Sequence, residues 1–189
     1  MHRADAPVET IAETSHLQLV SRGGWSYVRR RAASGVVTIV ALTDDDKVLL
    51  VEQHRVPLAA PVIEFPAGLA GDVSGSEDES LLTAARRELL EETGYEARSW
   101  KLLFTGPSSA GLTDEVITFF LATGLKRSGP GGGDESESIV LHEVPRTSLI
   151  GWLGDRLRDG CQIDSRLFSG LFFLDNAALA DELQRGSRR

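Results

Sequence analysis

Arg87-Glu88-Leu89-Leu90-Glu91-Glu92-Thr93-Gly94-Tyr95 is the stretch around which the remaining sequence is organised. Read as a helix, it sets Glu88, Glu91 and Glu92 at i, i+3 and i+4, so their carboxylates line one side of the rod. Like charges held together call for a positive partner. A hard divalent cation such as Mg2+, which prefers oxygen ligands and keeps waters, suits them better than a single lysine. The alternative is an amphipathic helix that is acidic on its solvated face. Leu82, Ala85 and Leu89 supply an apolar stripe beside the acids, and Gly94 supplies the left-handed residue that ends the helix. Ser76-Glu77-Asp78-Glu79 has the form of a capping box, which places the helix start there.

Glu79 precedes Arg87 by eight positions, which completes the pattern Glu-x7-Arg-Glu-Leu-x-Glu-Glu-x-Gly-Tyr. This resembles the second half of the Nudix box. The family's box opens with a glycine separated from its first glutamate by five residues, where this chain has Val73; ten residues separate Gly68 from Glu79. The simplest reading is an insertion of five residues, roughly Gly71 to Gly75, in a small, polar loop that tolerates extra length.

The chain has 189 residues, of which 41% are hydrophobic and 25% charged, with a net charge of -8. That suits one globular domain with appendages and a sizeable core. The acidic balance argues against a general nucleic-acid or membrane-surface binder, but phosphates bound through metal ions need no basic protein. Cys161 stands alone and reads as a packed small hydrophobe. No apolar run is long enough to span a membrane and no leader pattern is visible, so a cytoplasmic protein is expected.

Residues 1 to about 15 carry no strong period and are expected to be loosely ordered. From His16 the pattern alternates through Leu17 and Leu19, turns at Gly23-Gly24, and returns through Trp25, Tyr27 and Arg29: a hairpin. Residues 1–34 form an N-terminal extension that serves as a possible dimerisation element, and residues 35–189 form the main domain. Trp25 and Tyr27 could stack on a base or build a dimer contact; packing on a sheet face is the commoner fate of such aromatics.

Val36 to Leu42 is an almost wholly apolar run expected to be a central strand. The turn Thr43-Asp44-Asp45-Asp46 leads to a return strand, Lys47 to Gln53, and Val62 to Glu64 is a short strand entering the Pro66-Ala67-Gly68 corner. Trp100 to Phe104, Val116 to Leu121 and Ile139 to Val144 read as further strands. Gly129 to Gly133 reads as a flexible hinge or loop base. A helix is expected from Arg146 to about Leu157, and one broken or two short helices from Asp164 to Gln184.

These elements suit an α/β/α sandwich around a mixed sheet, with an N-terminal hairpin and C-terminal helices, which is also what the resemblance implies. Gln53-His54-Arg55, Glu64 to Gly68, Ser109 to Glu115 and Asp134-Glu135-Ser136-Glu137 narrow the likeness to the ADP-ribose and nucleoside diphosphate sugar pyrophosphatase branch over roughly residues 36 to 175. The resemblance implies hydrolysis of a diphosphate with Mg2+, or Mn2+ in its place. The metal would neutralise phosphate oxygens and lower the pKa of a water. Glu88, Glu91, Glu92, the backbone oxygen of Ala67 and Glu137 would be its ligands. Glu135 and Glu137 share the roles of general base and further ligand, with Glu135 preferred as base. Arg87 would steer and neutralise a carboxylate. Arg55 matches the branch's phosphate- or ribose-contacting arginine, or is a salt-bridging residue at a strand end; Glu115 contacts the sugar or is a solvated strand residue. The branch commonly forms homodimers in which N-terminal strands help shape the partner's site. Where it carries a proline in a Ser-Pro-Gly context this chain has Ala110, which leaves room for a nucleotide sugar other than ADP-ribose. Nucleoside triphosphates or dinucleoside polyphosphates are the competing substrates, and a nucleotide-sugar sensor is the competing non-enzyme.

Overall fold

The structure, a computed structural model, describes residues 5–31, 33–72, 75–133 and 138–186. Its N-terminal part is a three-stranded antiparallel sheet in the order β1 (Val8–Glu13), β2 (Leu17–Arg22), β3 (Trp25–Arg30). β2 and β3 are the expected hairpin. Gly23 and Gly24 carry φ of +57° and +82° at its turn, which glycine adopts without strain. The expectation of loose order before residue 15 is corrected over Val8–Glu13 by β1, while residues 1–4 lie outside the described set. Five of its six side chains are exposed, so the strand rests on its backbone ladder with β2 and leaves no hydrophobic alternation to read in the sequence.

The body holds two four-stranded mixed sheets, where a single mixed sheet was expected. The first runs β7 (Ala67–Ala70), β4 (Gly35–Ala41), β9 (Val116–Arg127), β8 (Tyr95–Pro107). The second runs β10 (Ile139–Pro145), β5 (Lys47–Arg55), β6 (Ala60–Glu64), β11 (Gln162–Ile163). β4 pairs in parallel with β9 and β6 with β11; the other pairs are antiparallel. β4 is central because both of its faces are covered. Val37, Ile39 and Ala41 pack toward Ala84, Ala85 and Leu89 of α1 (Leu81–Thr93). Val36 and Val40 join a second core with residues of α2 (Leu149–Arg158), α3 (Ser165–Asp175) and α4 (Ala177–Gly186). Alternate side chains of one strand thus hold helices on opposite sides, which is the layered arrangement expected.

Helix α1 starts later than the capping box suggested. Ser80, with extended ψ of 149°, is the N-cap, and its hydroxyl accepts from the Thr83 N–H at 3.1 Å. Glu79 does not act as a capping partner because its carboxylate is taken by Arg87 and by the Gly71 N–H. At the other end Gly94 has φ of +74° and its N–H reaches the Leu90 carbonyl. The expected insertion falls between β7 and α1, with residues 73 and 74 outside the described set.

Gly129 to Gly133, expected as a flexible hinge or a loop base, forms a hydrogen-bonded clamp on the end of α1. The N–H groups of Gly132 and Gly133 donate to the carbonyls of Glu92 and Glu91, and those of Ser128 and Gly129 to that of Gly94. The orphan carbonyls of the helix end are thereby satisfied. A Cβ at Gly131 would stand 2.5 Å from the Thr93 carbonyl carbon, so only glycine permits this approach.

Candidate active site

Three consecutive residues of β7 meet three residues of α1. The Ala67 N–H donates to Glu92 Oε2 at 3.1 Å, Gly68 lies against the Glu88 carboxyl group, and the Leu69 carbonyl accepts from Arg87 Nη2 at 2.8 Å. Strand and helix are seated together by polar contacts as well as by apolar packing.

Arg87 is the hub of the acidic wall. Its Nη1 donates to Glu88 Oε1 at 2.9 Å and to Glu91 Oε2 at 3.0 Å. Its Nε and Nη2 reach Glu79 at 3.3 and 3.2 Å, and Nη2 also lies 3.4 Å from Asp72. Burial opposes the charge of Arg87, but Glu79, Glu88 and Glu91 outweigh it and hold the guanidinium above its usual range. For Glu88 burial prevails: it pushes the carboxyl up to about 7 despite Arg87, with Glu91 and Asp72 adding to the rise.

Glu91 is open to the cleft and Glu92 is buried, 2% exposed. Among the described residues, no three acidic, histidine or cysteine side chains converge as a ready-made metal cage. Glu88 and Glu91 converge instead on Arg87. The donors nonetheless suit a hard cation: all are oxygens, two of the carboxylates face one cleft beside Ala67, and Gly68 leaves the Glu88 carboxyl room that a side chain would fill. Glu135 and Glu137, expected as base and ligand, lie outside the described residues.

A cleft of about 640 Å3 opens beside this wall, a size that admits a nucleotide-sized ligand. Ala67, Gly68, Asp72, Arg87, Glu88 and Glu91 line it. Arg30, Arg55 and Arg166 line it too, together with Glu64, Glu115 and Asp164. Arg55 is thus part of the cleft lining. It is also ion-paired, with Nε and Nη2 at 2.8 and 2.7 Å from Glu64 Oε2. Glu115 lines the cleft and is engaged by Arg30 Nε at 2.6 Å.

Trp25 is not brought to this cleft. It is 57% exposed, donates its indole N–H to the Gly111 carbonyl at 3.2 Å, and lines a separate recess with Tyr27, Arg29 and Ala110. The hairpin that carries it is tied to the 108–115 loop by the Arg29–Asp114 and Arg30–Glu115 pairs.

Sequence reasoning gave no role to Glu64, Asp164, Arg166 or Arg30. Glu64 carries a readable signal: an acid inside the apolar run Val62-Ile63-Glu64-Phe65 must be paired when buried, and it is 4% exposed. Burial pushes its carboxyl up, against the pull of Arg55. Asp164 caps α3, accepting from the Arg166 N–H at 2.7 Å; burial would raise it, but the Arg166 side chain prevails and lowers it. Arg166 carries no such signal, since only Asp164, two residues before it, is a local partner and Glu64 comes from a strand 102 positions away.

An acidic helix laid on a Pro-Ala-Gly corner, facing arginines across a cleft within an α/β/α body, is the frame of a phosphate-ester or anhydride site. The family model for the NUDIX domain matches residues 33–155, and the chain belongs to that family. It is 35% identical over 123 residues to the methanol dehydrogenase activator of Bacillus methanolicus, covering 65% of this chain and 64% of the relative. It is 41% identical over 112 residues to an ADP-ribose pyrophosphatase of Mycobacterium tuberculosis, covering 59% and 52% of the two chains. A GDP-mannose pyrophosphatase of Klebsiella pneumoniae is 30% identical over 155 residues, 75% of each. The chain thus spans about half to somewhat under two thirds of the length of the first two. A solved structure described as an ADP compounds hydrolase superposes with a TM-score of 0.70 at 24% identity, covering 93% of both chains, which establishes the fold.

Proposed function

We propose that this chain hydrolyses the diphosphate bond of ADP-ribose or a related nucleoside diphosphate sugar, yielding a nucleoside monophosphate and a sugar phosphate. The observation that carries the reading is the pairing, in one cleft, of Glu88 and Glu91 beside Ala67 with Arg55 and Arg30. Such a cleft suits a ligand that is anionic at its middle. The names of the pyrophosphatase relatives point to the same substrate class.

Glu88, Glu91, Glu92, the Ala67 carbonyl and Glu137 would hold Mg2+, or Mn2+ in its place. When bound, the cation neutralises diphosphate oxygens and makes a water more acidic. Arg87 keeps Glu88 and Glu91 together before the substrate arrives. Arg55 orients the diphosphate, Glu115 faces the sugar, and Glu135 takes the proton of the water that attacks phosphorus, while the departing phosphate carries off the bonding pair. The working form is a cytoplasmic homodimer in which residues 1–34 supply a contact and Trp25 serves the partner's cleft.

The test is chromatographic detection of the nucleoside monophosphate and sugar phosphate formed from a panel including ADP-ribose and GDP-mannose, with and without Mg2+, in the parent, Glu92→Gln and Glu135→Gln. Glu92→Gln, which nearly preserves volume, loses most turnover while staying folded. Glu135→Gln slows turnover with little change in substrate affinity; collapse of affinity with the rate intact makes Glu135 a binding residue instead. Absence of turnover with every nucleotide sugar, or a fully active Glu92→Gln, sinks the reading.

A further inference from the structure

A charge-balanced cluster lining the cleft, Arg55 and Arg166 with Glu64 and Asp164, is organised by Glu64. Its Oε2 accepts from Nε and Nη2 of Arg55 at 2.8 and 2.7 Å, and its Oε1 accepts from Nη2 of Arg166 at 2.9 Å. Arg166 is held a second time by Asp164, which takes its Nε at 2.6 Å and also its Nη2. Each guanidinium is thus gripped along the Nε and Nη2 edge. Among the described residues Nη1 of neither arginine has a protein partner, and both arginines line the cleft.

Packing enforces the arrangement. Gly170 follows Arg166 by four residues and so shares its face of α3. A Cβ at Gly170 would stand 2.3 Å from the Phe65 ring and 2.8 Å from Val40 Cγ2. The helix therefore lies hard against the residue next to Glu64, and Arg166 is delivered to the Glu64 carboxylate. Glu115, which also lines the cleft, acts on Arg166 electrostatically.

Charge alone does not account for the cluster, because Arg55 and Arg166 are matched by Glu64 and Asp164. What the cluster adds is orientation: two planar donors fixed on the two oxygens of one buried acid, each with Nη1 left unpaired among the described residues and both lining one cleft. A guanidinium held this way binds anionic oxygens with little further loss of freedom. We propose that Arg166 is a second anion-contacting residue, paired with Arg55 through Glu64 as the positioning residue, and that the open Nη1 groups bind the diphosphate oxygens of the substrate. The assignment rests on the proposed diphosphate site and extends it to the C-terminal helix, beyond the matched family segment, which ends at residue 155.

The experiment is calorimetric titration of the full chain with inorganic pyrophosphate at neutral pH and low salt, with a chelator present so that turnover plays no part. Arg166→Met weakens binding by about tenfold or more, the value of a charge-assisted hydrogen bond. Arg166→Lys recovers only part of the loss, because an ammonium group is held by no fork. Glu64→Gln decides between charge and orientation. It removes a negative charge, which by Coulomb attraction alone would tighten anion binding, yet by losing the grip on both arginines it weakens binding. Thermal unfolding of each variant establishes that it is folded; should Arg166→Met fail to fold, Glu64→Gln and Arg166→Lys, which keep the side-chain shape or charge, still decide. Absence of pyrophosphate binding by the parent, binding by Arg166→Met within about twofold of the parent, or tighter binding by Glu64→Gln overturns the proposal. Pyrophosphate binding as expected without turnover of any nucleotide sugar would sink the hydrolase reading and leave the arginine pair standing.

Discussion

Gly68 and the Glu88 carboxyl group occupy adjoining space: a Cβ on Gly68 would stand 2.0 Å from the Glu88 carboxyl carbon and from Oε1. Gly68→Ala therefore evicts the carboxylate. The displaced atoms are the end of a flexible side chain, so the protein yields there at small cost in stability. The site does not, since a displacement of about 1 Å can cost about 100-fold in rate. Turnover of the preferred nucleotide sugar is expected to fall by about that factor with a melting temperature near the parent's. Unimpaired turnover in Gly68→Ala would remove Glu88 from the working site.

Arg87→Met tests what joins the carboxylates. With the guanidinium gone, Glu88 and Glu91 face each other unneutralised, and Glu79, whose side chain is 8% exposed, loses its partner. Breaking a partly buried network of this kind costs about 2–4 kcal/mol, which for a chain of this size is a drop of several degrees in melting temperature. Mg2+ should restore more of the loss than it adds to the parent. Equal Mg2+ shifts in parent and variant would show that Arg87 does not stand in for the cation.

The Glu79–Arg87 pair sets a pH dependence. Hydrogen bonding from Arg87 lowers the Glu79 carboxyl below its ordinary value of 4.5. A lowered folded-state pKa contributes stability that is fully present above 4.5 and is lost as pH falls through the folded value. Urea midpoints of the parent should thus fall more steeply than those of Glu79→Gln between about pH 5 and 3. Parallel curves would show that the pair contributes nothing to acid stability.

Two glycines of the C-terminal helices should respond to alanine with opposite sign. Replacing a helical glycine gains up to about 1 kcal/mol. At Gly151 in α2 nothing lies within 4 Å of the new Cβ, so Gly151→Ala should raise the melting temperature. At Gly170 the Phe65 ring and Val40 must move, and overpacking costs about 1–3 kcal/mol, so Gly170→Ala should lower it. A rise in both would mean that α3 is not seated against Phe65.

Several features were legible in the residues because they are local. The period of α1, its stop at Gly94, the apolar run of β4 and the Gly23-Gly24 turn each follow from neighbours within a few positions. β1 was not legible, because an exposed strand has no apolar alternation. The N-cap was misplaced by four residues because Ser76 and Ser80 are equally good caps locally; the commitment of Glu79 to Arg87 decides between them. Residue chemistry left Trp25 open between stacking on a base, a dimer contact and sheet packing, and its position away from the cleft depends on how β3 docks on the 108–115 loop.

The sequence alone determined the layered class, the carboxylate helix and the corner that faces it, since helical spacing and glycine conformational freedom act over a few residues. Tertiary structure alone decided that Arg87 gathers the acids, that Glu64 is buried between Arg55 and Arg166, and that α3 reaches the cleft. Those partners are separated by up to 102 positions. A charge buried by folding has to find its counter-charge wherever packing delivers one, and no local pattern records where that is.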